Sequence, residues 1–400
     1  MRSIRSVALL CSTAALAAHV PAFADSRVGA DVQVTGGYST NPFSAAGGDA
    51  GSAMATASFL PFIDLVSPAG NTRLSGEVTR TEYARRYDGQ TDYAGGVSTR
   101  LQASPRTAIS GNANYSSRVI NALNPILNPL NPLPGDPNLP VIVDPATLGS
   151  FQQRTKMLSG GVQVQHQLTA RDSLSFGVNG AAVRYGATSL PQSNYDYYGG
   201  NVGYQRSISA YTAIGVSMGA NRTLYKQAGF GNTTSFSPSA TLQTRLSPTL
   251  SINAAAGVTF TDTDIAGASR KFTAFSGSIS LCKKGDRSNL CAQASRSVAP
   301  SAFNGVSTQT SAGLNYSYTL DPRSQITASA SYSRQAGVAG ISNVQTFDFG
   351  YASLGYSRQV TRRLSAVATL SYSDSFNSIA ARPANFYGSV GLRYRLGDIR

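Results

Sequence analysis

Apolar and polar residues alternate along most of this chain. The clearest case is the segment 385–396, NFYGSVGLRYRL, whose even positions are apolar, aromatic or glycine. Its odd positions include Asn385, Ser389, Arg393 and Arg395. Alternation with a period of two predicts a β-strand whose two faces meet different surroundings. With aromatic residues near its ends, such a strand is suited to cross a bilayer with lipid on one face and a polar interior on the other.

About eighteen segments of this kind predict an all-β chain, folded as an antiparallel transmembrane β-barrel. They cover residues 28–39, 53–65, 72–86, 91–102, 107–118, 154–168, 173–186, 195–207, 211–225, 234–246, 249–262, 271–282, 289–298, 308–320, 324–336, 345–359, 363–374 and 385–396. Because the phase of the alternation is ambiguous in three of them, a barrel of about sixteen strands is the alternative. Tight connections alternate with longer ones, which predicts short periplasmic turns and longer extracellular loops.

The N-terminal 24 residues predict export from the cytoplasm. Arg2 and Arg5 precede an apolar stretch at 6–18, and Ala22-Phe23-Ala24 forms a small-x-small cleavage site, so residues 1–24 are interpreted as a secretory signal peptide. Residues 25–400 would then form the barrel, in the outer membrane of a Gram-negative bacterium. The interfacial belts are expected to consist of Tyr and Phe, because the chain has no Trp. The expected belt residues are Tyr195, Tyr197, Tyr198, Tyr316, Tyr318, Phe347, Phe349, Phe386 and Tyr394.

The last predicted strand carries a recognisable end pattern. Ser389, Gly391, Tyr394 and Leu396 resemble the terminal-strand signal that the outer-membrane assembly machinery reads, which makes that machinery an expected partner. The four residues GDIR after Leu396 depart from this pattern, because most such proteins end on an aromatic residue.

The segment 37–43, GYSTNPF, resembles the first-strand GYxxNxF of the beta-barrel porin 2 type of outer-membrane proteins. The repeated hairpins and the hairpin at 281–291 are similar too, so the resemblance covers nearly all of the predicted mature chain. It implies a barrel often found with exopolysaccharide synthesis and export genes, hence exopolysaccharide as cargo and export components as partners. Alginate-export porins are a looser comparison and imply a cationic pore of about eighteen strands.

Positive charge gives the best indication of a substrate. The formal net charge is +14. Five arginines fall on polar-phase positions, where they would line the lumen: Arg73, Arg100, Arg245, Arg393 and Arg395. A water-filled lumen with arginine rings favours anions. The alternative is that basic residues at turns and loops meet lipid headgroups and lipopolysaccharide phosphates, as Arg171, Arg323, Arg362 and Arg363 would. Nucleic acid is not expected, because the basic residues are dispersed over an exported barrel.

The residues for enzyme chemistry are scarce. His166 is the one histidine outside the predicted signal peptide, and its phase places it on the lipid side near a periplasmic turn. We find no nucleophile and base arrangement, no paired carboxylates, no phosphate loop and no metal cluster in the sequence. The chain is therefore predicted to be a non-enzyme without cofactors.

Cys282 and Cys291 flank the hairpin KKGDRSNL and are expected to point inward on neighbouring strands. The periplasm is oxidising, which favours a disulfide over two free thiols; a metal bound by the two cysteines is the third interpretation. A different feature is the proline-rich segment 119–153, with seven prolines between 125 and 145, which excludes a regular strand. It is expected to fold into the pore, cover its mouth or extend from the surface.

These observations predict an outer-membrane channel of the porin type that passes anionic solutes or exopolysaccharide. The alternative is a structural or surface-interaction barrel whose lumen is blocked and whose loops carry out the function.

Overall fold

The fold is given by a computed structural model, which describes residues 25–45, 50–121, 153–186, 193–227, 231–265, 268–301, 305–337, 346–376 and 383–397. The predicted signal peptide and residues 122–152 of the proline-rich segment lie outside the described residues.

The described chain forms eighteen β-strands. In chain order they are β1 (Asp25–Ser39), β2 (Ser52–Ser67), β3 (Gly70–Tyr83), β4 (Gln90–Ser104), β5 (Thr107–Val119), β6 (Arg154–Gln167), β7 (Asp172–Tyr185), β8 (Tyr195–Ser207), β9 (Thr212–Tyr225), β10 (Asn232–Ser247), β11 (Leu250–Ile265), β12 (Ala268–Lys284), β13 (Ser288–Ser301), β14 (Gly305–Asp321), β15 (Ser324–Gly337), β16 (Phe347–Gln359), β17 (Leu364–Phe376) and β18 (Asn385–Gly397).

The strands close into one antiparallel barrel. Each strand pairs with its neighbours in sequence, and β1 pairs with both β2 and β18, so the ring has no open edge. The prediction of eighteen strands is confirmed, and the sixteen-strand alternative is wrong. Closure matters in lipid because an open edge would leave backbone N–H and C=O groups without hydrogen-bond partners.

The outer surface of the barrel is apolar. On β18 the even positions face outward, as Val390 shows with 67% of its surface exposed, and on β17 Leu370 is 61% exposed. Exposed apolar side chains recur on strand after strand, while Ser, Thr, Asn and Gln dominate the alternate, inner positions. An even-stranded barrel with this exterior is a transmembrane β-barrel of the Gram-negative outer membrane. No helix that is long and apolar enough to span a membrane occurs in the described part of the chain.

The two ends of the barrel differ in their connections. Tight turns join β6 to β7, β8 to β9 and β16 to β17. In these turns the backbone N–H groups of Leu168, Ile208 and Val360 each donate to the carbonyl oxygen four residues later. This end is periplasmic, because outer-membrane barrels keep their short turns there. The strand ends next to the longer connections lie at the opposite, extracellular end.

The GYSTNPF segment closes the barrel seam at its extracellular end. The amide oxygen of Asn385 on β18 accepts hydrogen bonds from Ser39 Oγ at 2.6 Å and from the backbone N–H of Asn41 at 2.9 Å. Phe43 then packs against Tyr83 and Tyr87, with ring centroids 5.5 and 4.8 Å away. We call Ser39, Asn41 and Asn385 the seam network. The motif thus has a structural role in joining the first strand to the last.

The expected aromatic belts need a correction. Tyr195 and Phe349 are each only 2% exposed and point to the inner side, and Tyr197 shares that face with Tyr195. The reason is strand phase: these residues occupy the same alternate positions as the inner polar residues of their strands. Tyr198 and Phe386 do lie on the exposed outer face.

Candidate functional site in the barrel interior

The closing strand brings two arginines to the periplasmic end of the interior. In the register of β18 with β1, Arg393 lies opposite Gln33 and Arg395 opposite Asp31. The intervening residues, such as Val34 and Leu392, are exposed on the outer face. Period-two alternation therefore places both guanidinium groups inside, as the sequence predicts.

Arg395 is neutralised by a carboxylate. Its Nε donates to Asp31 Oδ1 at 2.9 Å and its Nη2 to Asp31 Oδ2 at 3.2 Å. Two parallel hydrogen bonds of this kind hold a guanidinium in a fixed orientation. The pair spans the β1–β18 seam, but it adds no net charge to the interior.

Arg73 is positioned by an aromatic ring and a second carboxylate. Its guanidinium carbon lies 4.9 Å from the centre of the Phe62 ring, and its Nε is 3.7 Å from Asp64 Oδ1. Gly29 stands opposite Phe62 on β1, and a Cβ there would lie 2.6 Å from the tip of the ring. The absence of a side chain at residue 29 therefore makes room for the ring under Arg73.

The other three arginines have no carboxylate partner. Arg393 donates from Nε and Nη2 to the neutral amide oxygen of Gln33, at 3.2 and 3.1 Å. Arg100 lies across from Asn71, and Arg245 across from Ser251, both on inner positions. Within the described residues, no carboxylate oxygen lies within 4.0 Å of these three guanidinium groups. They supply the uncompensated positive charge of the periplasmic half of the interior.

Further charged residues continue along the same wall toward the extracellular end. Arg118 Nη2 donates to Glu77 Oε2 at 2.5 Å. Asp92 accepts the backbone N–H of Val119 at 2.9 Å, and Arg154, which has an outward position at the start of β6, comes within 3.8 Å of it at the barrel rim. Strands β18 and β1–β5 thus form a charged wall, in which ion pairs alternate with unpaired arginines.

The opposite wall is rich in hydroxyl and amide groups and carries the unpaired Arg245 near its periplasmic end. Between β7 and β13 it encloses a recess of about 390 Å³ whose lining residues, all in the described part of the chain, include no charged side chain. Hydrogen bonds order its surface: Ser217 to Ser239 at 2.6 Å, Gln205 to Gln243 at 2.7 Å and Asn253 to Ser280 at 3.4 Å. Because hydroxyl and amide groups both donate and accept, this wall suits solutes that carry hydroxyl groups.

Sequence reasoning missed the two neutralising carboxylates. The inner position of Asp31 could have been predicted, because the apolar Val32 and Val34 alternate with Asp31 and Gln33. The inner position of Asp64 could not, because its strand contains the apolar run FLPFI, in which the inner and outer faces cannot be told apart by polarity. The charge of a lumen thus depends on the anions of neighbouring strands as much as on the arginines.

The two cysteines form a disulfide in the structure. Cys282 and Cys291 stand directly opposite each other on β12 and β13, and their sulfur atoms are bonded. Cys291 is almost fully buried on the inner side. Below them, Gly285 donates its N–H to the carbonyl of Ser288 at 2.7 Å and closes the turn.

His166 lies on the outer side of β6 near the periplasmic end. Its Nδ1 is 2.9 Å from the hydroxyl of Thr107, and it stands opposite the exposed Leu174. No group of three or more His, Cys, Asp or Glu that could hold a metal ion occurs among the described residues. This arrangement fits a side chain at the membrane interface.

The terminal strand is shaped by Gly391. A Cβ at this residue would lie 2.1 Å from the carbonyl oxygen of Val34 and 2.6 Å from Thr35 Cγ2. Glycine is therefore required where β18 approaches β1. Tyr394 and Leu396 lie on the outer face. Recognition of these residues by the assembly machinery stays a prediction.

The comparisons with known proteins concern the barrel as a whole. No family model matches the chain, so the resemblance to the beta-barrel porin 2 type stays a prediction. No curated protein matches it. Among solved structures it is similar to Pseudomonas aeruginosa OprD, with 11% identity over 95% of this chain and 97% of that chain and a TM-score of 0.44.

Two further solved structures from the same bacterium are similar. OccK9 (OpdG) has 12% identity over 94% of this chain and 99% of that chain, with a TM-score of 0.47. OccK2 (OpdF), solved in complex with glucuronate, has 11% identity over 93% of this chain and 98% of that chain, with a TM-score of 0.46. At such identities the likeness concerns the fold alone, so a function has to rest on the residues of this chain.

Proposed function

We propose that the protein is a passive outer-membrane channel that favours small anionic solutes carrying hydroxyl groups. The observation that carries this proposal is the pairing pattern of the inner arginines. Arg73 and Arg395 are balanced by carboxylates, whereas Arg100, Arg245 and Arg393 are not. The interior therefore keeps a cationic excess at its periplasmic end, next to a hydroxyl-rich recess whose lining has no charged side chain.

The cationic excess supports anion preference on electrostatic grounds. Fixed positive charge in a water-filled passage raises the local concentration of anions and lowers that of cations. Salt screens this effect over a Debye length of about 10 Å at 0.1 M. The preference should therefore be strongest at low ionic strength.

Hydroxyl groups on the solute are the second element of the proposal. The recess between β7 and β13 offers ordered Ser, Thr, Asn and Gln side chains that exchange hydrogen bonds with a polyol without holding a charge. Passage of exopolysaccharide, and association with its export components, follow from the family resemblance alone and stay predictions.

The proposal is tested with the purified full-length barrel in planar bilayers. The triple variant R100Q/R245Q/R393Q removes the three unpaired charges. We expect the wild type to show stable conductance steps and an anion-selective reversal potential in a KCl gradient, and the variant to shift that potential toward cations, most clearly below 0.1 M salt.

The matched control is the double variant D31N/R395Q, which removes one ion pair and leaves the net charge unchanged. Its reversal potential should stay close to that of the wild type. A wild-type channel that is already cation-selective would contradict anion preference. A wild-type barrel that inserts without conducting would instead favour the alternative of a blocked lumen.

A further inference from the structure

The outer face of β6–β9 carries an unusual set of charges just above its apolar surface. Toward the extracellular ends of these four strands, outward positions carry four cations and one anion that we call the outer cationic patch: Lys156, Arg184, Asp196, Arg222 and Lys226. A fifth outward cation, Arg154 at the start of β6, is turned away from them and donates to the backbone carbonyl oxygens of Ser117 and Thr91. The patch residues share the outer face with exposed apolar residues farther down the same strands: Leu158, Val178, Tyr198 and Met218. The patch therefore faces the bilayer side of the barrel.

The centre of the patch is organised by Asp196. This nearly buried carboxylate pairs with Arg184 and with Lys226, one from each neighbouring side. Arg184 also donates to the backbone carbonyl oxygens of Val183 and Tyr195, at 2.9 and 2.8 Å. Asp196 thus holds two cations together, and the arginine is fixed by three acceptors.

The flanks of the patch are not neutralised. Lys156 lies opposite Arg184 in the β6–β7 register, and Arg222 lies opposite Tyr198 in the β8–β9 register. Both are exposed, and no carboxylate oxygen in the described residues lies within 4.0 Å of either. The patch keeps an excess of three positive charges, since four cations face one anion.

The rest of the described outer rim is balanced. On β11 and β12 the outward Lys271 pairs with Asp262. On β13 and β15–β17 two outward cations, Arg296 and Arg334, stand against two outward carboxylates, Asp348 and Asp374, and Arg334 lies 3.7 Å from Asp348. At the extracellular end of the described outer face, a surplus of cations is therefore confined to β6–β9.

A charge on this surface is unfavourable within the hydrocarbon region and becomes favourable at the headgroups. The position just above the apolar residues, at the extracellular end, corresponds to the headgroup level of the outer leaflet. Adjacent strands are about 4.8 Å apart, so the patch extends about 14 Å around the barrel, enough for more than one phosphate. Lys and Arg side chains bind phosphate through charge-assisted hydrogen bonds.

We propose that the outer cationic patch is a binding site for the phosphate groups of a phosphorylated glycolipid in the outer leaflet. Lys156 and Arg222 contact phosphate directly from the two flanks. The Arg184–Asp196–Lys226 cluster supplies a fixed cationic centre between them. The site is separate from the channel interior and does not depend on the barrel being open.

The test uses the purified full-length barrel and native mass spectrometry of bound lipid. Lipid A with its phosphates and the same lipid A after dephosphorylation are titrated separately. The double variant K156Q/R222Q leaves Asp196 and its partners intact. The control R362Q/R363Q removes the same charge from an exposed periplasmic turn.

The wild type and the control should prefer the phosphorylated form. K156Q/R222Q should bind it about 30-fold more weakly, with little change for the dephosphorylated form. The single variants, each expected to be about fivefold weaker, keep the test available if the double variant does not assemble. Equal binding of both lipids by the wild type, or unchanged binding by K156Q/R222Q, would overturn the site. Full displacement of the lipid by millimolar inorganic phosphate would show a free-phosphate site and would overturn the lipid assignment.

Discussion

The seam between β1 and β18 is held differently at its two ends. At the extracellular end the seam network joins Ser39, Asn41 and Asn385 through neutral hydrogen bonds, and all three residues are at most 1% exposed. At the periplasmic end the same two strands are joined by Asp31 and Arg395, whose side chains are 20% and 51% exposed.

This difference separates structural closure from function. A buried neutral network fixes geometry, because every polar group in it loses its partner if the strands part. A half-exposed ion pair contributes little to stability, since water screens it and competes for its groups. The periplasmic end of the seam can therefore carry the charges that set the charge of the lumen, while the extracellular end holds the strands together.

The largest expected effect comes from breaking the seam as a whole. In G391V the new side chain would overlap the carbonyl oxygen of Val34, which lies 2.1 Å from the position of a Cβ. We expect a loss of more than about 4 kcal/mol and little assembled barrel. The measurement is the amount of heat-modifiable barrel in the outer membrane. The control is G36V, because a Cβ at Gly36 meets no atom within 4 Å; equal amounts of both variants would contradict this view of the seam.

Breaking only the extracellular end should have a smaller, still clear effect. N385L removes the acceptor for Ser39 Oγ and for the backbone N–H of Asn41. Two buried donors without partners should cost about 2–5 kcal/mol in the free energy of unfolding. Urea unfolding in liposomes measures this change. The control N253L alters an exposed inner residue with one long hydrogen bond and should cost less than about 1 kcal/mol; similar losses for both would mean that the seam network has no special role.

Breaking the periplasmic end should affect stability least. D31N/R395Q is expected to change the free energy of unfolding by at most about 1 kcal/mol, because the pair is half exposed. D31N alone sharpens the comparison, since it frees the charge of Arg395 and should shift the reversal potential further toward anions at unchanged assembly. A large loss of stability in the double variant would show that both ends of the seam are structural.

Much of this architecture could be predicted from residue patterns. Strand number and the inner or outer face of Arg73, Arg393 and Arg395 follow from a period of two, which pleating imposes on every strand. Alternation does not show which residue of the neighbouring strand lies beside a given side chain, because it does not determine the register between the two strands. Asp64 was therefore missed as the partner of Arg73.

The height of a residue in the membrane was also beyond the sequence pattern. Asp196 and Arg184 alternate like residues of any strand, and only the pairing of β7 with β8 and of β8 with β9 shows that they share the extracellular rim with Lys226. Tyr195 was misplaced for a related reason, because an aromatic residue at a strand end predicts an interface position without indicating its face.

The uneven distribution of charge between the wall of β18 and β1–β5 and the recess opposite it has a consequence for the movement of a solute through the proposed channel. Two of the three unpaired arginines, Arg100 and Arg393, lie on β4 and β18, and in the proposed channel they produce an electric field with a component directed across the passage. A dipolar solute is then turned so that its anionic end faces the unpaired Arg393 while its hydroxyl groups meet the recess between β7 and β13. Molecules of equal size and net charge would be distinguished by the angle between their charge and their hydroxyl groups, so the barrel should separate stereoisomers that a uniformly charged pore passes alike.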